Sequence, residues 1–189
     1  MAQKTTRFRI RSNWKRKLTK QEKSNCIKTH QKAKQMQASS KGLTSDEITY
    51  FLGSTRNFLG VYAQDEIKNL SVSQYPSFLI INLDSSSSKG SHWIAAGIFR
   101  THLEIFDSLG FNIFTWPHIP CDLLRFLLKF SVGRQVLVSK RLQSDSSTLC
   151  GIYCVFFILA RITLRFKQIQ DIFTANLQQN DKILINFLK

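Results

Sequence analysis

The sequence predicts an α+β domain, and three observations carry that prediction. The hydrophobic period changes along the chain: residues 77–83, 92–99, 102–107 and 135–142 have the length and apolar content of strands, whereas 44–52, 122–130, 150–166 and 171–188 carry helical stripes. The resulting order, α, β, β, β, α, β, α, α, mixes hairpin-linked strands with helices instead of alternating them strictly. Finally, 43% apolar and 12% aromatic residues in a chain of 189 supply a core for one domain.

Charge divides the chain before any element begins. Of 27 Lys and Arg, 13 lie in residues 1–41 against the single acid Glu22, whereas the remainder is nearly neutral. The first 41 residues therefore read as a basic arm, with too little apolar area to offset the entropy of ordering it. Residues 42–189 read as the folded domain. Such an arm suits DNA, through counterion release, or a nuclear address; its Cys26 and His30 are expected to be exposed bystanders.

Thr44-Ser45-Asp46-Glu47 is a capping box, and Ile48, Phe51 and Leu52 give the first helix its stripe before Gly53. After the aromatic run Phe58 to Tyr62, Ser77 to Leu83 is a continuous apolar run and reads as a central strand. Residues 84–90 form a serine-rich loop. Two strands then flank a tight turn at Arg100-Thr101. Pro117 and Pro120 introduce the helix from Asp122, a strand follows from Gln135 to Leu142, and two amphipathic helices, Cys150 to Phe166 and Asp171 to Leu188, close the chain. The stripe Ile172, Phe173, Leu177, Ile183, Leu184, Phe187 and Leu188 is expected to pack into the core. Four cysteines are too few for a secreted disulfide framework, and no apolar leader opens the chain. The longest apolar stretch, Cys150 to Ala160, stops at Arg161, too short to span a bilayer. An intracellular protein with no membrane partner is expected, and without a coiled-coil pattern a monomer.

The hairpin makes a chemical prediction. A two-residue turn at Arg100-Thr101 sets Ile94 opposite Asp107 and puts His92 on the same face, within diagonal reach. Asp107 shares that face with Leu103 and Ile105, where a carboxylate needs a partner, and His92 can supply it. A register slipped by one would substitute Glu104. Cys150 opens a helix directly after the polar loop 144–148, and a helix N-terminus with a neighbouring imidazolium stabilises a thiolate. Gly151 would allow close approach of substrate. Gln143 can offer an amide N–H to an oxyanion beside the backbone N–H of Cys150. Cys150, His92, Asp107 and Gln143 together supply nucleophile, base, orienter and oxyanion donor.

These residues, as His92-Trp93, Phe106-Asp107-Ser108-Leu109-Gly110, Gln143 and Cys150-Gly151-Ile152-Tyr153-Cys154, resemble the adenovirus-type cysteine proteases, relatives of the Ulp1/SUMO peptidases, in the superfamily's order His, Asp or Glu, Gln, Cys. The six residues between Gln143 and Cys150, and the segment Phe58-Leu59-Gly60-Val61-Tyr62, resemble the adenovirus branch in particular. The resemblance spans about residues 43–170. It implies a papain-like/Ulp1-like fold, with a central mixed sheet packed by helices and the nucleophile at a helix N-terminus. It implies peptide-bond cleavage near glycine in capsid precursors, as in adenovirus-like viruses and Maverick/Polinton elements, and hence a host nucleus or virion as the setting. Trp93 would shape the site. Activation by DNA and by a short peptide is implied as well. Val132 stands where the adenovirus-type enzymes carry the cysteine that bonds the peptide, so a disulfide-linked peptide is not expected; Cys121 lies too far from Gln143 to replace it.

Alternatives remain at this stage: a peptidase removing SUMO or another ubiquitin-like protein, and a catalytically silent DNA-binding packaging protein. Cys154, one turn after Cys150, is expected in the core. A zinc site from His118, Cys121, Cys150 and Cys154 would consume the nucleophile and is not favoured.

Overall fold

A computed structural model describes residues 42–113 and 115–187; the basic arm expected over 1–41, with Cys26 and His30, lies outside them. Helix α1, Ser45–Leu52, is capped as its sequence requires. The Thr44 hydroxyl accepts the Glu47 N–H at 3.3 Å, and the Glu47 carboxylate accepts the Thr44 N–H at 2.8 Å. Strands β1 (Phe58–Ala63), β2 (Ser77–Asn82), β3 (Trp93–Ile98) and β4 (His102–Phe106) follow, with a single 3₁₀ turn at Ile67–Asn69 between the first two. Then come α2 (Cys121–Ser131), β5 (Gln135–Val138), α3 (Cys150–Arg161), α4 (Phe166–Asp171) and α5 (Leu177–Phe187).

The five strands lie in spatial order β1-β2-β3-β4-β5, parallel at the two outer pairs and antiparallel at the two inner ones. This mixed sheet is covered on both faces. On one face α1, α3, α4 and α5 bury Ile48, Leu52, Tyr153, Phe157, Ile169 and Leu184 against Phe78, Ile80, Ala95 and Phe106. On the other, α2 and the 3₁₀ turn bury Leu123, Phe126, Leu127 and Ile67 against Leu79, Ile81, Ile94 and Ile105. Each such side chain contributes about 1.5–3 kcal/mol when fully buried. The hairpin register is the predicted one: Ala95 pairs with Phe106, Ala96 with Ile105, Gly97 with Glu104 and Ile98 with Leu103.

One element is added and three expectations are corrected. The added element is the aromatic run from Phe58, a strand paired in parallel with β2 across a bulge at Phe58/Gly60. The strand from Gln135 ends at Val138 because the next polar groups turn elsewhere: the Ser139 hydroxyl bonds the backbone of Asp107, and the Lys140 N–H donates to Gln170 Oε1 at 2.7 Å. Helix α3 is not amphipathic but buried at ten of its twelve residues, and it stops at Arg161 instead of Phe166. There the Arg161 guanidinium grips Glu104 through two bonds, at 2.7 and 2.9 Å. The last helical stretch is split, because Asn180 accepts the Thr174 N–H and Asn176 caps α5 through the Gln179 N–H. Of the C-terminal stripe, Phe173 and Leu184 are buried as expected.

Candidate active site

His92 and Asp107 meet at the end of the sheet where β3 begins and β4 stops. Neither belongs to the ladder, yet the ladder places them: the hairpin register carries both onto one side, and His92 Nε2 lies 2.8 Å from Asp107 Oδ1. Both are nearly buried, at 8% and 3% exposure. The same Oδ1 accepts the Leu109 N–H at 2.8 Å, so the carboxylate is aimed by its own turn. Asp107 is also clamped through its backbone, donating its N–H to Ser139 Oγ and accepting the Ser139 hydroxyl at its carbonyl, both at 2.7 Å. Gly110, at φ 71°, lets this turn lie against β5's continuation, where a Cβ would come within 2.6 Å of the Arg141 backbone.

Cys150 is the first residue of α3 and is 7% exposed. Its side chain is hydrogen-bonded to His92. Because Asp107 occupies Nε2, Nδ1 is the imidazole nitrogen left for the thiol. Burial by itself pushes the thiol pKa up. The His92 hydrogen bond, the backbone N–H groups of Trp93 and Gly151, and the imidazolium charge outweigh it, and the result lies below the ordinary thiol value. The Trp93 N–H is free for this because it points to the β4 side of β3, one step past the end of that ladder. His92 answers in the opposite sense. Burial disfavours its charge, but the Asp107 hydrogen bond and the Cys150 thiolate together raise it to about 9. Both shifts favour the thiolate–imidazolium pair over the neutral one.

Gln143 is 2% exposed and its carboxamide is fixed in orientation. Oε1 accepts the Ser108 hydroxyl at 2.6 Å, and one N–H of Nε2 donates to the Ser147 carbonyl at 2.7 Å. The residue thus ties the Asp107-Ser108 turn to the loop that leads into Cys150. Its second N–H is not used by these bonds.

The fallback orienter Glu104 points to the other face, held by Arg161 and by His102 at 3.0 Å. Gly151 has a role other than the expected substrate approach: it is buried, and a Cβ there would meet Leu43 at 3.0 Å and Trp93 at 3.2 Å. Trp93 itself bonds the Leu43 carbonyl through Nε1 at 2.9 Å, so it joins the start of the domain to the site. Cys154 is a core residue, its thiol 3.3 Å from the Trp93 carbonyl. The residues of the zinc alternative do not assemble, and among the described residues no group of three His, Cys, Asp or Glu could hold a metal ion. No helix among the described residues is long and apolar enough to cross a membrane.

Sequence reasoning missed the holders of the site: Ser108, Ser139 and the exposed Phe111, whose ring meets His92 edge-on at 6.4 Å. Serines at the end of a strand and in the following loop carry no local signal of a partner more than thirty residues away.

No protein-family model matches the sequence, and no curated protein matches it. Among solved structures the chain is similar to a crystal structure of the ASFV pS273R protease, at 18% identity and a TM-score of 0.54, over 81% of this chain and 68% of that one. A selenomethionine form of the same protease gives 20% identity and a TM-score of 0.50 over the same shares. At such identities the likeness is one of fold. The chain has the α+β, papain-like/Ulp1-like fold, a central mixed sheet packed by helices.

Proposed function

We propose that the chain is a cysteine endopeptidase. The observation that carries this reading is the buried line Cys150–His92–Asp107 at a helix N-terminus, with the thiol pKa lowered and the imidazole pKa raised. Cys150 is the nucleophile. Its thiolate attacks the peptide carbonyl carbon, forming a C–S bond, and the negative charge passes to the carbonyl oxygen. The unused N–H of Gln143 and the backbone N–H at the start of α3 receive that oxyanion, a contribution of about 3–4 kcal/mol per donor in comparable sites. On collapse the C–N bond breaks, and the His92 imidazolium gives its proton to the departing amine. His92, now neutral, takes a proton from water as it attacks the thioester, releasing the acid and restoring the thiolate. Asp107 holds the imidazole in the tautomer this requires.

Protein substrates follow from that chemistry. The Gln143–Cys150 spacing and the Phe58–Tyr62 segment favour the adenovirus branch, and with it cleavage of virion or capsid precursors near glycine in the host nucleus or virion. The basic arm fits DNA as a guide to such substrates. The experiment sets the full-length protein against two substrates, a capsid precursor with an internal glycine site and a ubiquitin-like protein linked through Gly-Gly. Cleavage of the first, lost in Cys150→Ala and faster with duplex DNA at low salt, is the expected result. Cleavage of the second alone would make this a deconjugating peptidase. Cleavage indifferent to DNA and salt would remove the role given to the arm.

A further inference from the structure

We infer that Asp181, in the C-terminal helix, is a positioning residue for the oxyanion loop: it sets the place of Gln143 relative to Cys150 by binding the nucleophile's helix and the glutamine's loop at once. This rests on the protease reading above. The observation is a buried polar cluster that the proposed chemistry does not use. Asp181 Oδ2 accepts the hydroxyl of Ser144, the residue after Gln143, at 2.6 Å. Asp181 Oδ1 accepts the hydroxyl of Tyr153, three residues after Cys150, at 2.9 Å. The Tyr153 proton is shared with the Leu142 carbonyl at 3.0 Å, and the neighbouring Asn180 donates to that carbonyl at 2.9 Å. Burial and the Asp181 carboxylate push the Tyr153 phenol far up, which keeps it a donor.

The segment Leu142-Gln143-Ser144 is therefore gripped from two sides. From the sheet, the Ser108 carbonyl accepts the N–H of Leu142 at 2.8 Å and that of Gln143 at 2.9 Å. From the helices, Asn180 and Tyr153 donate to the Leu142 carbonyl, and Asp181 accepts the Ser144 hydroxyl. Packing does not fix the loop alone, because a cleft of about 540 Å³ opens between residues 144–146 and residues 175–178 at the start of α5. Beside that cleft the Ser144 hydroxyl is held by Asp181. Misplacement of an oxyanion donor by about 1 Å is costly to acyl transfer, whereas the thiolate–imidazolium pair is held by Asp107 and by the backbone N–H groups of Trp93 and Gly151, not by these groups.

That separation supplies the experiment, on the full-length protein with two probes. Iodoacetamide alkylates Cys150 by displacement at saturated carbon and forms no oxyanion. p-Nitrophenyl acetate acylates it through a tetrahedral oxyanion: the thiolate sulfur bonds the acetyl carbon and p-nitrophenolate leaves. The rate seen with Cys150→Ala is subtracted. Asp181→Ala is expected to lower acylation tenfold or more while the alkylation rate stays within twofold. Ser144→Ala falls in the same direction by less, and Asp181→Asn, which keeps one acceptor, recovers part of the loss. Should Asp181→Ala fail to fold, Ser144→Ala and Tyr153→Phe decide on the same ratio of rates. Parallel loss of both rates, or no change in the ratio in folded variants, overturns the inference alone. Wild-type protein whose Cys150 alkylates no faster than Cys121 overturns the protease reading and this inference with it.

Discussion

Cys150 and Cys154 stand one turn apart on the same helix, both buried, and their thiols are driven in opposite directions. Burial raises both. At Cys150 that cost is reversed by His92 and by two backbone N–H donors, so the thiol pKa falls below its ordinary value. At Cys154 nothing reverses it. Its thiol faces the Trp93 carbonyl, an acceptor, and the negative charges at Cys150 and Asp107 raise it further, well above the ordinary value. Both thiols meet the backbone of Trp93, past the end of the β3–β4 ladder: Cys150 meets its N–H, a donor, and Cys154 its carbonyl, an acceptor. Reactivity in this helix is a property of what each turn meets, not of the residue type.

Several changes break or sharpen that contrast. Cys150→Ala removes the proposed nucleophile and is expected to lower kcat/KM for peptide cleavage about 10⁴–10⁶-fold, with the melting temperature little changed. His92→Ala removes both base and counter-charge; cleavage falls comparably, and peptide-resolved alkylation shows Cys150 slowed toward the exposed Cys121. Asp107→Asn keeps the shape but loses the charge that holds the imidazolium, and a loss of about 10²–10⁴-fold in kcat is expected. The pH dependence separates the two partners. Below the lowered thiol pKa the proton returns to Cys150, so alkylation and cleavage fall together. Above about 9 His92 loses its proton, and cleavage falls for want of a donor to the leaving amine while alkylation of the thiolate continues. The smallest effect belongs to Cys154→Ala: about 1–2 kcal/mol of stability by chemical denaturation, and no change in Cys150 alkylation.

What the sequence made legible was local or fixed by a short turn. The capping box at Thr44 and Glu47 is self-contained, and the two-residue turn at Arg100-Thr101 determines the register that brings His92 to Asp107. The residue types of the candidate site were readable because a thiol, an imidazole, a carboxylate and an amide each have a chemical signature, and the structure brings the His92 imidazole to the Asp107 carboxylate and to the Cys150 thiol. The parallel edge strand at Phe58 was not, since its partner is set by a distant crossover and Gly60 interrupts its pattern. Nor was the break between α4 and α5, although Thr174 and Asn176 are cap types that could have marked it. The serines and Asp181 that hold Gln143 were least legible. Their partners lie 35 to 37 residues away and meet only when three elements have packed.

The most direct measurement is the iodoacetamide alkylation rate of each cysteine at neutral pH, resolved by peptide mass spectrometry, in wild type and in His92→Ala. Cys150 is expected to react far faster than Cys121 and Cys154 in the wild type, although it is the more buried of the first two, and to lose that lead in His92→Ala. Equal rates at Cys150 and Cys121 in the wild type, or a lead at Cys150 that survives the loss of His92, would contradict the thiolate–imidazolium pair.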